Sequence, residues 1–250
     1  MNETTYYSDP RLSATEIKAF ALGGESGFIH ARDEKDSPAM KLGRAIHCAV
    51  LQPDEFQKGY AVQKFDGRTK EGKAEKAEAE AKGITLLAES DFYACTYAHE
   101  LIAMNGLETE SEFYTSDCKC KVDALDRESG LLVEFKTISD IFAAEKDFWA
   151  RAYDLQLGHY ANVLSQNGVA VKAVKVIFFA PSQGLTTTLE IDEPRLAEFR
   201  SRAAAFAGTI LGRKSLFKDR TADFEKARIP SPVLGDRPQW VADREDVFLL

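Results

Sequence analysis

Apolar positions recur at helical intervals through the first part of the chain. Ser13-Ala14-Thr15-Glu16 has the form of a capping box, predicting a helix to about Leu22 that Gly23-Gly24 ends. Ser37 as cap and Pro38 in the first turn predict a second helix, in which "AMKLGRAIHCAVL" buries Leu42, Ile46, Ala49 and Val50. The pattern then lapses. Residues 64–82 are charged and Ala-rich, and read as a solvated helix preceded by a mobile, basic, Gly-containing stretch. A short strand is expected at 84–88, and Ser90 caps a helix ending near Gly106. From there the period falls to two, predicting strands at about 111–116, 118–126 and 131–137, the last two joined by a turn at Glu128-Ser129-Gly130. Helix returns over about 141–153 and, as a new helix or a continuation, over 155–165, stopping at Asn167-Gly168. "AVKVIFFA" is a buried strand paired with "LTTTLEI" across the 181–184 turn, and 193–211 is an amphipathic helix. The tail, about 212–250, carries Pro230, Pro232 and Pro238 and is expected to wrap the surface. The pattern describes one α/β domain over 1–250, with a core at about 10–210 and an N-terminal helical part.

The hairpin raises a chemical question. Strand side chains alternate, so Glu134 and Lys136 share one face while Val133 and Phe135 share the other, with Phe135 toward the core. If the turn centres on Glu128-Ser129, Asp123 falls opposite Glu134, with Cβ atoms ~4.5–5.5 Å apart. Two facing carboxylates repel unless a cation lies between them. Hard oxygen ligands at this spacing suit Mg²⁺, or Mn²⁺ in its place, which also take phosphate oxygens. Such an ion polarises a phosphodiester and activates water, and a lysine two residues on can stabilise the developing charge. The bland alternative is an ordinary hairpin with exposed charges.

Other positions bear on the choice. Arg44 and His47 lie three residues apart on one helix face, although a histidine there is usually a satisfied boundary residue. Gln156 and Tyr160, four apart in "QLGHY", share a face of the helix after the hairpin; both could simply be half-buried against the sheet. Glu112 on the preceding strand is either a cleft-rim acid or an exposed strand glutamate.

In order, "GRAIHCAVL", "CKCKVDALD", "LLVEFKT" and "YDLQLGHY" resemble the motifs of the PD-(D/E)xK nuclease superfamily, in its RecB-like branch, and most of all the nuclease domains of phage-type exonuclease VIII (RecE). The resemblance covers roughly residues 10 to 210. It implies a restriction-endonuclease-like α/β core, a mixed sheet flanked by helices. It also implies metal ligation by His47, Asp123, Glu134 and the backbone carbonyl of Phe135, a catalytic Lys136, and support near the DNA strand from Gln156 and Tyr160. The third-motif acid is Glu134 where such sequences often have Asp, a change the superfamily accepts. The implied activity is Mg²⁺-dependent degradation of linear double-stranded DNA from the 5′ end, leaving 3′ single strands. The implied partners are DNA ends, a homo-oligomeric ring (trimer or tetramer) and a single-strand annealing protein of RecT or Redβ type.

Charge and composition add limits. Net charge is −8, which disfavours a simple nucleic-acid coat but not an acidic enzyme with a basic channel. Phosphate contacts are expected from Arg44, from Lys119 and Lys121 on the Asp123 strand, and from the run Lys64, Arg68, Lys70 and Lys73. Cys48, Cys95, Cys118 and Cys120 are read as reduced, mostly buried thiols. The iron–sulfur nucleases of this branch need a C-terminal cysteine trio, and this chain has no cysteine after Cys120, so no iron–sulfur cluster is expected. No apolar run reaches ~18 residues and the first ten are polar, so a cytoplasmic protein, bacterial or phage-encoded, is expected. A Gly-rich phosphate loop, a nucleophile elbow and a dinucleotide fingerprint are all missing, which leaves a metabolic enzyme little support. An endonuclease on the same core, or an inactive fold that binds DNA or a partner, stays open.

Overall fold

The computed structural model describes residues 3–31, 37–102 and 104–213. The expected surface-wrapping tail lies outside them, beyond residue 213. Helices α1 (Glu3–Ser8), α2 (Ala14–Ile29), α3 (Pro38–Leu51) and α4 (Pro53–Gly59) come first. Strand β1 (Tyr60–Val62), α5 (Lys70–Ala81), β2 (Thr85–Leu87) and α6 (Glu89–Leu101) follow. The central hairpin region is β3 (Glu108–Tyr114), β4 (Lys119–Asp126) and β5 (Leu131–Thr137). A 3₁₀ turn (Ile141–Ala143), α7 (Ala144–Ala150) and α8 (Tyr153–Gln166) lead to β6 (Ala173–Ala180), β7 (Leu185–Ile191) and α9 (Glu193–Gly212).

The five strands β3 to β7 lie side by side in chain order. All neighbours are antiparallel except β5 and β6, which are parallel because α7 and α8 cross over between them. The result is the expected mixed sheet flanked by helices. Alternation along β5 and β6 feeds two cores. Leu132, Val174, Val176 and Phe178 pack with Leu157, Tyr160, Ala161 and Leu164 of α8 and with Leu196 and Phe199 of α9. Phe135 and Phe179 pack on the other face with Ile46, Ala49 and Val50 of α3 and with Cys95 and Ala98 of α6. Phe135 is thus in the core, as its position in the alternation predicts.

Local signals explain most boundaries. The Ser13 N–H donates to the Glu16 carboxylate at 2.9 Å, closing the start of α2. The Ser37 hydroxyl accepts from Met40 N–H at 3.2 Å, with Pro38 in the first turn of α3. The Gly23-Gly24 pair bends α2 rather than ending it: Gly24 takes φ 61° and ψ −146°, and the helix resumes to Ile29. Ala152, at φ 51°, separates α7 from α8, so the second of these is a new helix. The stretch before α5 is tied down instead of loose, because Glu75 accepts main-chain N–H groups from Lys64 and Phe65 at 3.0 and 3.1 Å. Strand β1 has only three residues and pairs in parallel with β2, too short for any alternation to reveal.

Gly158 allows α8 and α9 to touch. A Cβ there would stand 2.1 Å from the Phe199 carbonyl oxygen. Gly158→Ala is therefore expected to force the helices apart at a cost of about 1–3 kcal/mol. Thermal melting should show it as a fall of several degrees, at ~2–4 °C per kcal/mol for a chain of this size.

Candidate active site

The site forms where the strand ladders fail. Strands β4 and β5 pair Asp126 with Leu131, Leu125 with Leu132 and Ala124 with Val133, in the register that the turn predicts. The ladder stops there, one pair short of Asp123 and Glu134. Instead of facing Glu134 across paired main chains, Asp123 accepts the Phe135 N–H on its own Oδ2 at 2.7 Å. The carboxylate thus replaces a main-chain acceptor and the strands part around it. On the other side of β4, pairing runs through Thr109 with Ala124, omits Glu110 opposite Asp123, and resumes at Ser111 with Val122. Glu110 has φ 54°, a left-handed backbone that costs a non-glycine residue of order 1–3 kcal/mol.

This turn of β3 brings Glu110 into the cleft. One ligand atom each from His47, Glu110 and Asp123 lies within 4.8 Å of the others. His47 reaches them from α3, its ring 4.9 Å from that of Phe135. Gly43, one turn earlier, brings α3 close to β5, since a Cβ there would lie 3.0 Å from Thr137 Oγ1.

Glu134 is 1% exposed. Its Oε1 accepts from both Lys136 Nζ and Gln156 Nε2. Its Oε2, fully buried, has no hydrogen-bond partner. A buried carboxylate oxygen left bare is costly, and here it belongs to the acid expected to bind metal. Gln156 also donates to Tyr160 Oη at 3.0 Å, while its own Oε1 accepts from Lys18 Nζ at 2.7 Å. Lys18 and Lys136 stand over the same Tyr153 ring, at 4.9 and 5.3 Å from its centre.

Electrostatics follow from this crowding. Burial, with the Asp123 charge adding to it, raises the Glu134 pKa to about 7. Burial raises Asp123 to about 6 against the pull of Lys136. Burial and the Lys136 charge lower His47 to about 4. Burial also works against the Lys136 ammonium, but Glu134 and Asp123 outweigh it and hold it protonated well above the ordinary lysine range.

These groups fit a divalent cation: two or three carboxylates, an imidazole that is neutral at pH 7, a nearby main-chain carbonyl, and an oxygen lacking any other partner. Binding must then displace protons. Divalent-ion affinity is expected to rise as pH climbs from 5 to 8, mainly as Glu134 and Asp123 ionise near 7 and 6. Calorimetry in buffers of different ionisation enthalpy should detect proton release at pH 6 that fades by pH 8; pH-independent affinity would contradict this ligand set.

The structure thus brings together His47, Asp123, Glu134, the Phe135 backbone, Lys136, Gln156 and Tyr160. The other expected positions lie around this group. Lys119 is 1% exposed and donates to the main-chain carbonyls of Tyr6 and, at 2.8 Å, Asp9. That corrects its expected role as a phosphate contact: the ammonium holds the N-terminal segment onto the sheet. Lys121 pairs with Glu110, so it borders the cleft as a partner of an acid. Glu112 is half-buried and accepts from Tyr114 Oη at 2.6 Å, two residues beyond the acid that does enter the site. Arg44 is exposed one turn before His47, and Lys64, Arg68, Lys70 and Lys73 are exposed on and before α5. Sequence reasoning missed Glu110, Lys18 and Tyr153. None left a usable signal: Glu110 falls one residue before the strand expected at 111–116, and only the structure shows the register that sets it opposite Asp123.

Comparison with known proteins bears on the family and the fold. The profile of a family described as "PDDEXK-like domain of unknown function (DUF3799)" matches residues 13–186. No curated protein matches the chain significantly. Among solved structures, a candidate exonuclease from Eubacterium rectale is 17% identical with a TM-score of 0.51, over 85% of this chain and 84% of that one. A phage-related exonuclease from Haemophilus somnus is 12% identical with a TM-score of 0.33, over 84% and 99% of the two chains. The first shares the fold; the second is too distant to support an argument. No helix among the described residues is long and apolar enough to cross a membrane.

Proposed function

We propose, on the premise that the chain belongs to the PDDEXK-like family matched over residues 13–186, that it is a divalent-metal-dependent nuclease acting on DNA. The observation that carries this reading is the cluster of His47, Glu110 and Asp123 ligand atoms, with Glu134, whose buried Oε2 is bare, close enough for its charge to act on Asp123 and His47. A purely structural core has no use for an acid turned into a protein interior with one oxygen unsatisfied.

His47, Glu110, Asp123, Glu134 and the Phe135 carbonyl would hold the cation, and their hard oxygens favour Mg²⁺, with Mn²⁺ as substitute. When bound, it would supply Lewis acidity toward the scissile phosphate and a water of lowered pKa. The chain's own groups do the rest. Lys136 and Gln156 both occupy Oε1 of Glu134, which fixes the carboxyl plane and leaves Oε2 as the oxygen that would be offered to a cation. Lys136, kept charged by its two carboxylates, can hold the attacking water and offset charge on the phosphate. Tyr160 fixes the Gln156 amide from below.

The finer reading follows the motif resemblance. The enzyme degrades linear duplex DNA from 5′ to 3′, works as a ring-shaped trimer or tetramer, and feeds 3′ single strands to an annealing protein of RecT or Redβ type in phage recombination. It acts in the cytoplasm of a bacterium. A ring would also let an acidic protein remain on DNA through topology.

Digestion of a linear duplex, labelled separately at its 5′ and 3′ ends, tests this reading beside a closed circle and an EDTA control. Early release of 5′ label with the circle spared is the expected result. A cut circle would make the protein an endonuclease. No cleavage with Mg²⁺ or Mn²⁺ would overturn the nuclease reading in favour of a DNA- or partner-binding fold.

A further inference from the structure

Lys18 lies on α2, far in sequence from every motif, yet enters the site. Its ammonium gives one hydrogen bond to Gln156 Oε1 and rests on the Tyr153 ring. Both partners are neutral. No carboxylate among the described residues pairs with it, whereas Lys136 beside it has Glu134. Burial, then the like charge of Lys136, lowers its pKa to about 7, as expected of a cation lacking its counter-anion. The charges of Glu134, Asp123 and Arg151 also reach it. Lys136 is bonded to Glu134 and Arg151 bridges Asp147 at 3.4 Å, so of the three cations near Tyr153 only Lys18 lacks a carboxylate partner among the described residues.

An anion that pairs with Lys18, which shares the Tyr153 ring with Lys136, would lie close to the reacting phosphate, and on a DNA strand the neighbouring anion is the next phosphate. Holding Gln156 alone would not require a charge, since a neutral amide could donate the same bond. Resting on the nuclease reading above, we propose that Lys18 is a substrate-positioning residue whose ammonium binds a backbone phosphate adjacent to the scissile one. The contact fixes the strand's register over the metal ligands and leaves the Glu134–Lys136 pair free for chemistry.

The test separates binding from cutting. Fluorescent linear duplexes are prepared with one methylphosphonate at each of the first few linkages in turn, plus an unmodified control. Affinity is measured by anisotropy in Ca²⁺ for wild type, Lys18→Met and Lys18→Arg. Wild type should lose about tenfold in affinity at one position. Lys18→Met should bind the unmodified duplex about tenfold more weakly and be indifferent to that position, and Lys18→Arg should restore both. The salt slope of Lys18→Met should be shallower by roughly 0.9. If Lys18→Met keeps the wild-type methylphosphonate map, the lysine merely holds Gln156 and the proposal is wrong. Lys18→Gln, which can still bond Gln156, gives the same reading if methionine impairs folding. Cleavage in Mg²⁺ is scored separately. Cutting with an unchanged map overturns this inference alone; a Lys18-dependent map without cutting overturns only the nuclease reading; failure of the wild type to bind duplex overturns both.

Discussion

Replacing Lys136 with alanine is expected to lower cleavage of linear duplex DNA by ~10²–10³-fold, the usual loss when one preorganised donor to developing charge is removed. The substitution should also change stability in a way that identifies the site. Lys136 is the ammonium bonded to Glu134, and it offsets Asp123 as well. Without it, two crowded carboxylates keep only the Gln156 and Phe135 N–H donors. In EDTA at pH 8 the variant should lose about 2 kcal/mol, somewhat less than breaking a fully buried pair costs, because Lys136 retains 17% exposure. At pH 5, where both acids bind protons, the loss should shrink, and saturating Mg²⁺ should reverse most of it. A variant that melts normally at every pH and cuts normally would remove Lys136 from the mechanism.

Asp123→Asn should stabilise the metal-free protein while abolishing its response to metal. The sign follows from the raised carboxyl pKa values. A folded state that holds protons more tightly than the unfolded chain gains stability at low pH and loses it as pH rises through the folded pKa. For Asp123 and Glu134 that window runs from the ordinary carboxylate range near 4 up to about 6 and about 7. Asparagine keeps an oxygen for the Phe135 N–H and removes the charge that helps raise Glu134. His47 and Lys18 shift in the opposite sense, but comparing the variant with wild type largely cancels them. After allowance for the partial exposure of Asp123, the gain in EDTA at pH 8 is about 1 kcal/mol, or ~2–4 °C in Tm. The order should reverse with Mg²⁺: wild type gains ~2.7 kcal/mol at a hundred times its Kd, and the variant gains nothing. If Mg²⁺ shifts both melting curves equally, Asp123 is not a ligand.

The elements that pack the core and half of the site were legible because local rules set them. Turn chemistry set the β4–β5 register, a 3.6-residue period put Gln156 and Tyr160 together, and alternation separated Phe135 from Glu134 and Lys136. The failures have particular causes. Period two placed Lys119 beside Lys121 and Asp123, but carbonyls of Tyr6 and Asp9, more than a hundred residues away, claim its ammonium. Glu110 depends on a single left-handed residue, which no pattern of polar and apolar letters encodes. Lys18 reaches the cleft because α2 packs against α8, through Ile17 and Phe20 beside Leu155. That contact lies between segments with no sequence relation.

The Lys119 arrangement has a practical corollary for anyone handling the protein. The segment before Arg11 looks like a polar leader that could be trimmed or used as a flexible attachment point. Its carbonyls instead solvate an ammonium inside the sheet, with the Tyr6 ring 4.5 Å from the nitrogen. A chain begun at Arg11 would forfeit that solvation at about 1–3 kcal/mol for the stranded group, on the strand that carries Asp123. Shortening the chain through α1 would thus act as a remote inhibition, lowering activity by loosening β4 without touching a ligand.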